Sequence, residues 1–324
     1  MRFVTIPQPH FCGTRRCLPP ESGPKKNSRG KGHMNGIVHV DTERLRADLE
    51  DKLPPKVRRF RLDDIPGVMR SRLGWPVAAA LMERWFRGPA FEMPDTIKSG
   101  QRQLVNLNSA QLDEDTITMQ WALGFARVQA AMALLQAQWN SPAGIAQLQE
   151  RIKQQSMRQA QPWRFGNLNQ SAKALDENYQ VNFLNVGRLG DPMDDFYGAM
   201  GEATLKIAVS GVVTPKEAGK AIISVDELAF YLRDSYDFND DSFLSQPLGF
   251  WGPGGVKRTP RSTLAIPLSE QWMHANAAEA DRQSYLVQNQ HFRQWRALYG
   301  RGGDFMIVSD VHRVRLPFPI KLEW

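Results

Sequence analysis

Two periodicities divide this chain. From Asp41 to Ile152 apolar residues recur every three or four positions, as on the buried face of a helix. Beyond a Gln-rich connector near residues 154–172 they recur at every second position, the mark of a strand. In the first region, "DTERLRADLEDKL" opens on Asp41, a good N-cap, and aligns Leu45, Leu49 and Leu53. "LDDIPGVMRSRLGW" aligns Ile65, Met69 and Leu73 and stops at Gly74, and Pro76 suits the first position of a broadly buried helix through Phe86. The longest pattern runs from Thr116 to Trp139, where Ile117, Trp121, Phe125, Val128, Met132, Leu135 and Trp139 predict one helix. A second helix follows Ser141 and Pro142, carrying Ile145, Leu148 and Ile152.

In the second region "YQVNFLNVG", "ATLKIAVSGVVT" and "KAIISVDELAFYLRDSYDF" read as strands, the last two joined by a turn at residues 214–219. "NQHFRQWRALYG" reads as a helix capped by Asn289 and ended by Gly300, followed by the strand "DFMIVSD". At the C-terminus Val314, Leu316, Phe318, Ile320, Leu322 and Trp324 alternate, and Pro317 and Pro319 on the opposite parity predict an edge strand. Helices grouped before strands predict an α+β fold. The expected architecture is an N-terminal helical layer or bundle followed by a mostly antiparallel C-terminal β-sheet with one inserted helix. The divisions are a tail over residues 1–36, a helical region over 37–160 and a β-rich region over 173–324, with helices and sheet free to pack as one domain.

Charge changes the picture only at the N-terminus. The chain of 324 residues carries a net +7, and residues 1–34 hold seven basic residues against the single Glu21. The remaining body holds 34 basic and 33 acidic groups, so a polyanion-binding surface is not expected of it. The basic, Pro/Gly-rich tail is read as disordered, and Met34 as an alternative start. Both cysteines, Cys12 and Cys17, fall in the tail. A body without cysteine fits a reducing compartment, and with no signal peptide or apolar span in view the expected location is the cytoplasm.

The chemistry is narrowed first by what is missing. The sequence has no G-x-S-x-G elbow, H-E-x-x-H, Walker loop or G-x-G-x-x-G, and the body has no thiol nucleophile. What stands out is "YLRDSYDFNDDSFLSQPLGFWGPGG", with four aspartates in eight residues. Asp237, Asn239 and Asp241 alternate as calcium ligands do, although Ser242 and Leu248 replace the Gly and Glu of such loops. No cofactor is expected, with room left for a divalent cation. A second reading pairs Asp234 or Asp237 with Asp304 or Asp310 as general acid and base. The plain alternative is that these aspartates only shape a turn. Trp251, Arg293 and Asn239 complete the candidate set, because glycine-rich turns and polar side chains converge there in sequence. "WGPGGVKRTPR" supplies Lys257, Arg258 and Arg261 beside flexible glycines, either an anion nest or a surface loop.

The segments "DIPGVMRSRLGWPVAAALMERWF", "YLRDSYDFNDD…QPLGFW" and "NQHFRQWRALYGRGGDFMIVSDV" together resemble a proteobacterial domain-of-unknown-function family encoded near type VI secretion components. The resemblance runs from about Val40 to the C-terminus and carries no catalytic residues over. It implies a secretion-associated effector or toxin-like protein, or else a non-enzymatic adaptor, chaperone or immunity-like module. The partners it implies are proteins: the secretion apparatus, a chaperone or a cognate immunity protein.

Overall fold

The two longest strands, lying next to each other in the chain, form the spine of the molecule. The computed structural model describes residues 41–155, 161–188, 190–239, 247–259 and 264–324. Residues 53–324 form one compact unit, and the chain up to Lys52 forms another, whose described part is the helix Thr42–Glu50. Asp41 caps that helix by accepting from the Glu43 and Arg44 amides. The basic tail and both cysteines lie outside the described residues.

The strands of the larger unit are β1 (Lys56–Arg58), β2 (Leu112–Asp113), β3 (Trp163–Phe165), β4 (Gln180–Val186), β5 (Ala203–Pro215), β6 (Ala221–Tyr236), β7 (Pro247–Gly252), β8 (Gly255–Lys257), β9 (Trp272–His274), β10 (Tyr285–Gln288), β11 (Phe305–Val308) and β12 (His312–Glu323). β5 and β6 make the central antiparallel hairpin, and shorter strands tile both of its flanks. β11 and then β12 pair along β6, while β4 and then β3 pair along β5. β2 adds to β11 in parallel, the exception in an otherwise antiparallel arrangement. β10, β7 and β8 form a separate three-stranded sheet, and β1 pairs with β9. The chain is therefore mixed, helical over its first part and mostly antiparallel sheet over its second.

Side-chain alternation gives the main sheet two different faces. Leu228, Phe230 and Leu232 of β6 join Leu205, Ile207 and Val209 of β5 in the larger core, under the helices of the first half. The intervening Ala229 and Tyr231 join Ala208, Met306 and Val308 in a smaller core on the other side. β12 has β6 as its strand partner, and Pro317 and Pro319 fall in the interruption of that pairing between Arg315 and Ile320. Prolines that donate no ladder bond are accommodated there, and Phe318 between them is 82% exposed.

Two local expectations are corrected. The single helix over Thr116–Trp139 is two, Met119–Ala122 and Ala126–Gln138. Thr118 caps the first through the Trp121 amide, and the break at residues 123–125 lets Trp121 and Phe125 both pack on Phe196, at 5.7 and 5.5 Å between ring centroids. The apolar period survives the break because both pieces bury the same side. The cap of the helix Asn289–Tyr299 is Gln288, whose amide is held by His291 Nδ1 at 3.0 Å, with Asn289 as the first helical residue. Gly300 ends that helix in the left-handed region, as its position predicts.

Candidate functional site

The turn after β6 faces a cavity of about 180 Å³ between the larger core face and the surrounding helices. Its wall is apolar, with Met69, Met82, Met193 and Met200 beside Trp75, Trp251, Phe238 and Phe292. The polar groups are the hydroxyls of Tyr197 and Tyr236 and, at and just past the end of β6, Asp234, Ser235 and Asp237. Three local devices shape this wall. Trp75 and Trp251 meet edge to face at 6.3 Å, and Trp251 is fixed by donating Nε1 to the Leu248 carbonyl at 3.1 Å. The helix Pro76–Arg87 has no cap from its own Trp75 and is capped from a distance by Asp195, which accepts from the Val77 and Ala78 amides at 3.2 and 2.9 Å. The short helix Asp195–Ala199 can approach this closely because residue 198 is glycine, where a Cβ would stand 2.8 Å from the Trp75 ring.

Asp234 is the unusual group. Its Oδ1 accepts from the Ser235 amide at 2.8 Å, and among the described residues no cation pairs with it. Protein atoms surround it, yet it keeps intermediate accessibility, which fits a side chain facing a cavity instead of bulk water. Burial holds its carboxyl well above the usual carboxylate range; the Ser235 amide opposes this, and the neighbouring Asp237 and Glu202 add to it. Asp237, in contrast, is paired with Lys98 Nζ at 3.0 Å and accepts from the Asn239 amide at 3.1 Å.

The remaining acids are committed elsewhere. Asp304 is 0% exposed, and its carboxylate takes four donors: Trp85 Nε1 at 2.9 Å, the Met93 amide at 3.0 Å, Asn239 Nδ2 at 2.8 Å and the Arg296 guanidinium. Burial raises its carboxyl while these donors pull it down, and the geometry is that of an ionised acceptor with every lone-pair direction used. The chain reaches this knot through Gly302, at φ 98°, where a Cβ would lie 2.5 Å from the Trp85 ring. Asp310 lies at the other end of β11, where it accepts from the Met119 amide and lines a different cavity with Leu123 and His312. Arg293 donates to the Phe238 carbonyl at 2.7 Å, steadying the turn behind the cavity wall.

Of the sequence candidates, then, Asp234, Asp237 and Trp251 line one cavity. Asn239 bridges Asp237 to Asp304 behind it, and Asp310 stands apart. Asp241 and Arg261 lie outside the described residues. Asp237 and Asn239 already have protein partners, and among the described residues no group of three or more His, Cys, Asp or Glu side chains is placed to hold a metal. Arg258 donates to the Asp191 carbonyl and covers the Tyr197 ring at 5.2 Å. The methionines of the wall carry no motif; helical spacing marked Met69, while Met193 and Met200 border the short helix Asp195–Ala199 and carry no periodic signal.

An α+β protein with a methionine- and aromatic-lined cavity that also presents an unpaired carboxyl group is the class that this geometry defines. The chain belongs to a family of unknown function (DUF6402), whose model matches residues 60–324. No curated protein and no solved structure matches it. Among the described residues no helix is long and apolar enough to cross a membrane.

Proposed function

We propose that this chain works by binding, and that its ligand is a small molecule with an apolar body and a cationic head seated on Asp234. The observation that carries this reading is the cavity itself: about 180 Å³ of apolar space ending in a carboxylate with no cation of its own. A cavity of about 150 Å³ lined by aliphatic and aromatic side chains is enough to take up benzene. Trp75, Trp251 and Phe238 line it with aromatic rings, whose quadrupoles attract an ammonium group, and methionines adapt to the shape of the guest. Setting the molecule in type VI secretion, as the resemblance implies, makes it a non-enzymatic adaptor, chaperone or immunity-like module of that system. Asp304 and Asp310 support binding over turnover, since neither shares the cavity wall with Asp234.

A second reading is favoured by one observation, the proximity of Asp234 and Asp237 in the same wall, with burial lifting the first and Lys98 pairing the second. That is how an acid and a base are set apart in an effector enzyme. The two readings separate in two assays. Titration with phenethylamine, followed by tryptophan fluorescence, should saturate in the native protein and weaken at least tenfold, about 1.4 kcal/mol, in Asp234→Asn and in the cavity-filling Leu248→Trp. An affinity that neither substitution changes would remove the cavity from consideration. Toxicity on delivery into a bacterium that disappears in Asp237→Ala, with folding intact, would favour the effector.

A further inference from the structure

On the opposite face of the main sheet, Lys206 of β5 and Tyr231 and Arg233 of β6 converge on one carboxylate, Asp176 of the helix Ala172–Asn178. Lys206 Nζ lies 2.5 Å from Asp176, the Tyr231 hydroxyl donates to it at 3.0 Å, and Arg233 Nη1 lies 3.4 Å away. The side chains of Lys206 and Arg233 are each 12% exposed and that of Asp176 is 8% exposed, so one buried acid serves two buried cations. Above them opens a polar cavity of about 200 Å³, whose wall adds Arg102, Gln103, Arg151 and Glu177.

Charge does not balance here. Arg102, Arg151 and Arg233 share the wall with Asp176 and Glu177, Lys206 draws on the same Asp176, and Glu177 is partly engaged by the Val105 amide at 3.3 Å. Each guanidinium carries five N–H donors in a fixed fork. Their partners use few of these: Arg102 reaches the Asn106 carbonyl at 3.4 Å, Arg151 the Gln180 carbonyl at 3.4 Å, and Arg233 the Ile97 carbonyl at 3.3 Å besides Asp176. Burial lowers the proton affinity of Lys206, Asp176 opposes that, and Arg233 and Arg151 lower it further, as expected where cations outnumber anions. Lys206 and Arg233 are two buried cations on one buried acid, with Arg151 half-buried and Arg102 exposed beside them, and an anion with several acceptor oxygens would relieve that imbalance.

We propose that this cavity binds a phosphate-type oxyanion, either the free ion or the phosphate of a small ester, through Arg102, Arg151 and Arg233. The planar forks of arginine match tetrahedral oxyanions by paired hydrogen bonds. The site is independent of the cationic-ligand cavity, because β6 separates them and no residue lines both.

Calorimetric titration of the full chain at low ionic strength tests it, first with inorganic phosphate and then with glycerol phosphate. Saturable one-to-one binding is expected, weakened about tenfold by Arg102→Gln and by Arg151→Gln. Gln103→Glu, at an exposed position of the same wall, should abolish binding with unchanged circular dichroism. Tighter binding of the ester identifies an esterified ligand, and equal or weaker binding identifies the free ion. No saturable binding of either anion, or an affinity untouched by all three substitutions, would overturn the proposal.

Discussion

Arg233 and Asp234 are adjacent in the chain and opposite in everything that surrounds them. Strand alternation sends Arg233 to the side of the smaller core, into a polar cavity, and Asp234 to the side of the larger core, into an apolar one. On the first face an acid is shared among too many cations; on the second an acid has no cation. As a dipeptide the pair is neutral, yet a backbone layer stands between the two charges, so neither screens the other's cavity. A body with 34 basic and 33 acidic groups can therefore hold two sites of opposite sign. Net charge averages over exactly the separation that a sheet creates.

The largest test of this contrast is removal of the acid on the polar face. Asp176→Ala leaves Lys206 and Arg233 buried without their carboxylate, and breaking a buried pair from one side costs about 3–5 kcal/mol. Urea unfolding should show that loss, and added phosphate should restore part of it in proportion to binding. A loss under about 1 kcal/mol would mean that water already compensates these cations, as it does at surface pairs.

Asp234→Asn should act in the opposite direction. The folded state holds this carboxyl well above its unfolded range, near 3.9, so between those limits the folded chain binds more protons than the unfolded chain. Stability from this group is fully present below the unfolded value and is lost as pH rises through the folded one. Asparagine stays neutral throughout. The variant should therefore be the more stable protein at neutral pH, with the difference closing toward pH 4 in thermal unfolding curves. A difference constant with pH would show that Asp234 does not titrate in this range.

Ligand binding sharpens the same point from the other side. An ammonium head requires the ionised form of Asp234, so affinity for phenethylamine should rise with pH through the titration of that carboxyl and stay flat in Asp234→Asn. The expected gain across the transition is about tenfold, the usual scale for one charge-assisted contact. Equal pH profiles for the native protein and the variant would detach the cationic head from this residue.

These two sites were unequally legible in the sequence. Asp234, Asp237 and Trp251 lie within one acidic, aromatic stretch, so local composition was enough to gather them. Lys206, Tyr231, Asp176 and Arg151 come from separate segments, and each looks like an ordinary polar position on an alternating strand or a helix surface. The one local sign was that Lys206 sits between Leu205 and Ile207 as the single charged residue of its strand. The strands of the spine and the proline-marked edge followed from a period of two, which local sterics enforce. The break at residues 123–125 did not, because the apolar period runs through it; Gly124 sits at the break, and Trp121 and Phe125 on either side of it pack on Phe196, a partner far along the chain. Asp304 looked reactive beside its glycines, but Gly302 lets the chain pass against the Trp85 ring and Gly303 against the Pro89 carbonyl, and four donors occupy the carboxylate there.

The smallest expected effect belongs to Asp310, which borders neither of the two proposed cavities and so serves as the reference acid. Its carboxylate accepts from the Met119 amide at the start of the helix Met119–Ala122, a capping bond made across 191 residues of sequence. Losing a cap costs about 1 kcal/mol, so Asp310→Ala should lower stability by that amount and leave both titrations unchanged. Because the bond ties the end of β11 to a helix over the larger core, the loss should appear as faster amide exchange at Met119 through Ala122 before any global change. A stability loss as large as that of Asp176→Ala would place a third unbalanced charge at this end of the sheet. Altered phenethylamine or phosphate binding would instead couple the cavities through β11, and the two faces could no longer be treated as separate.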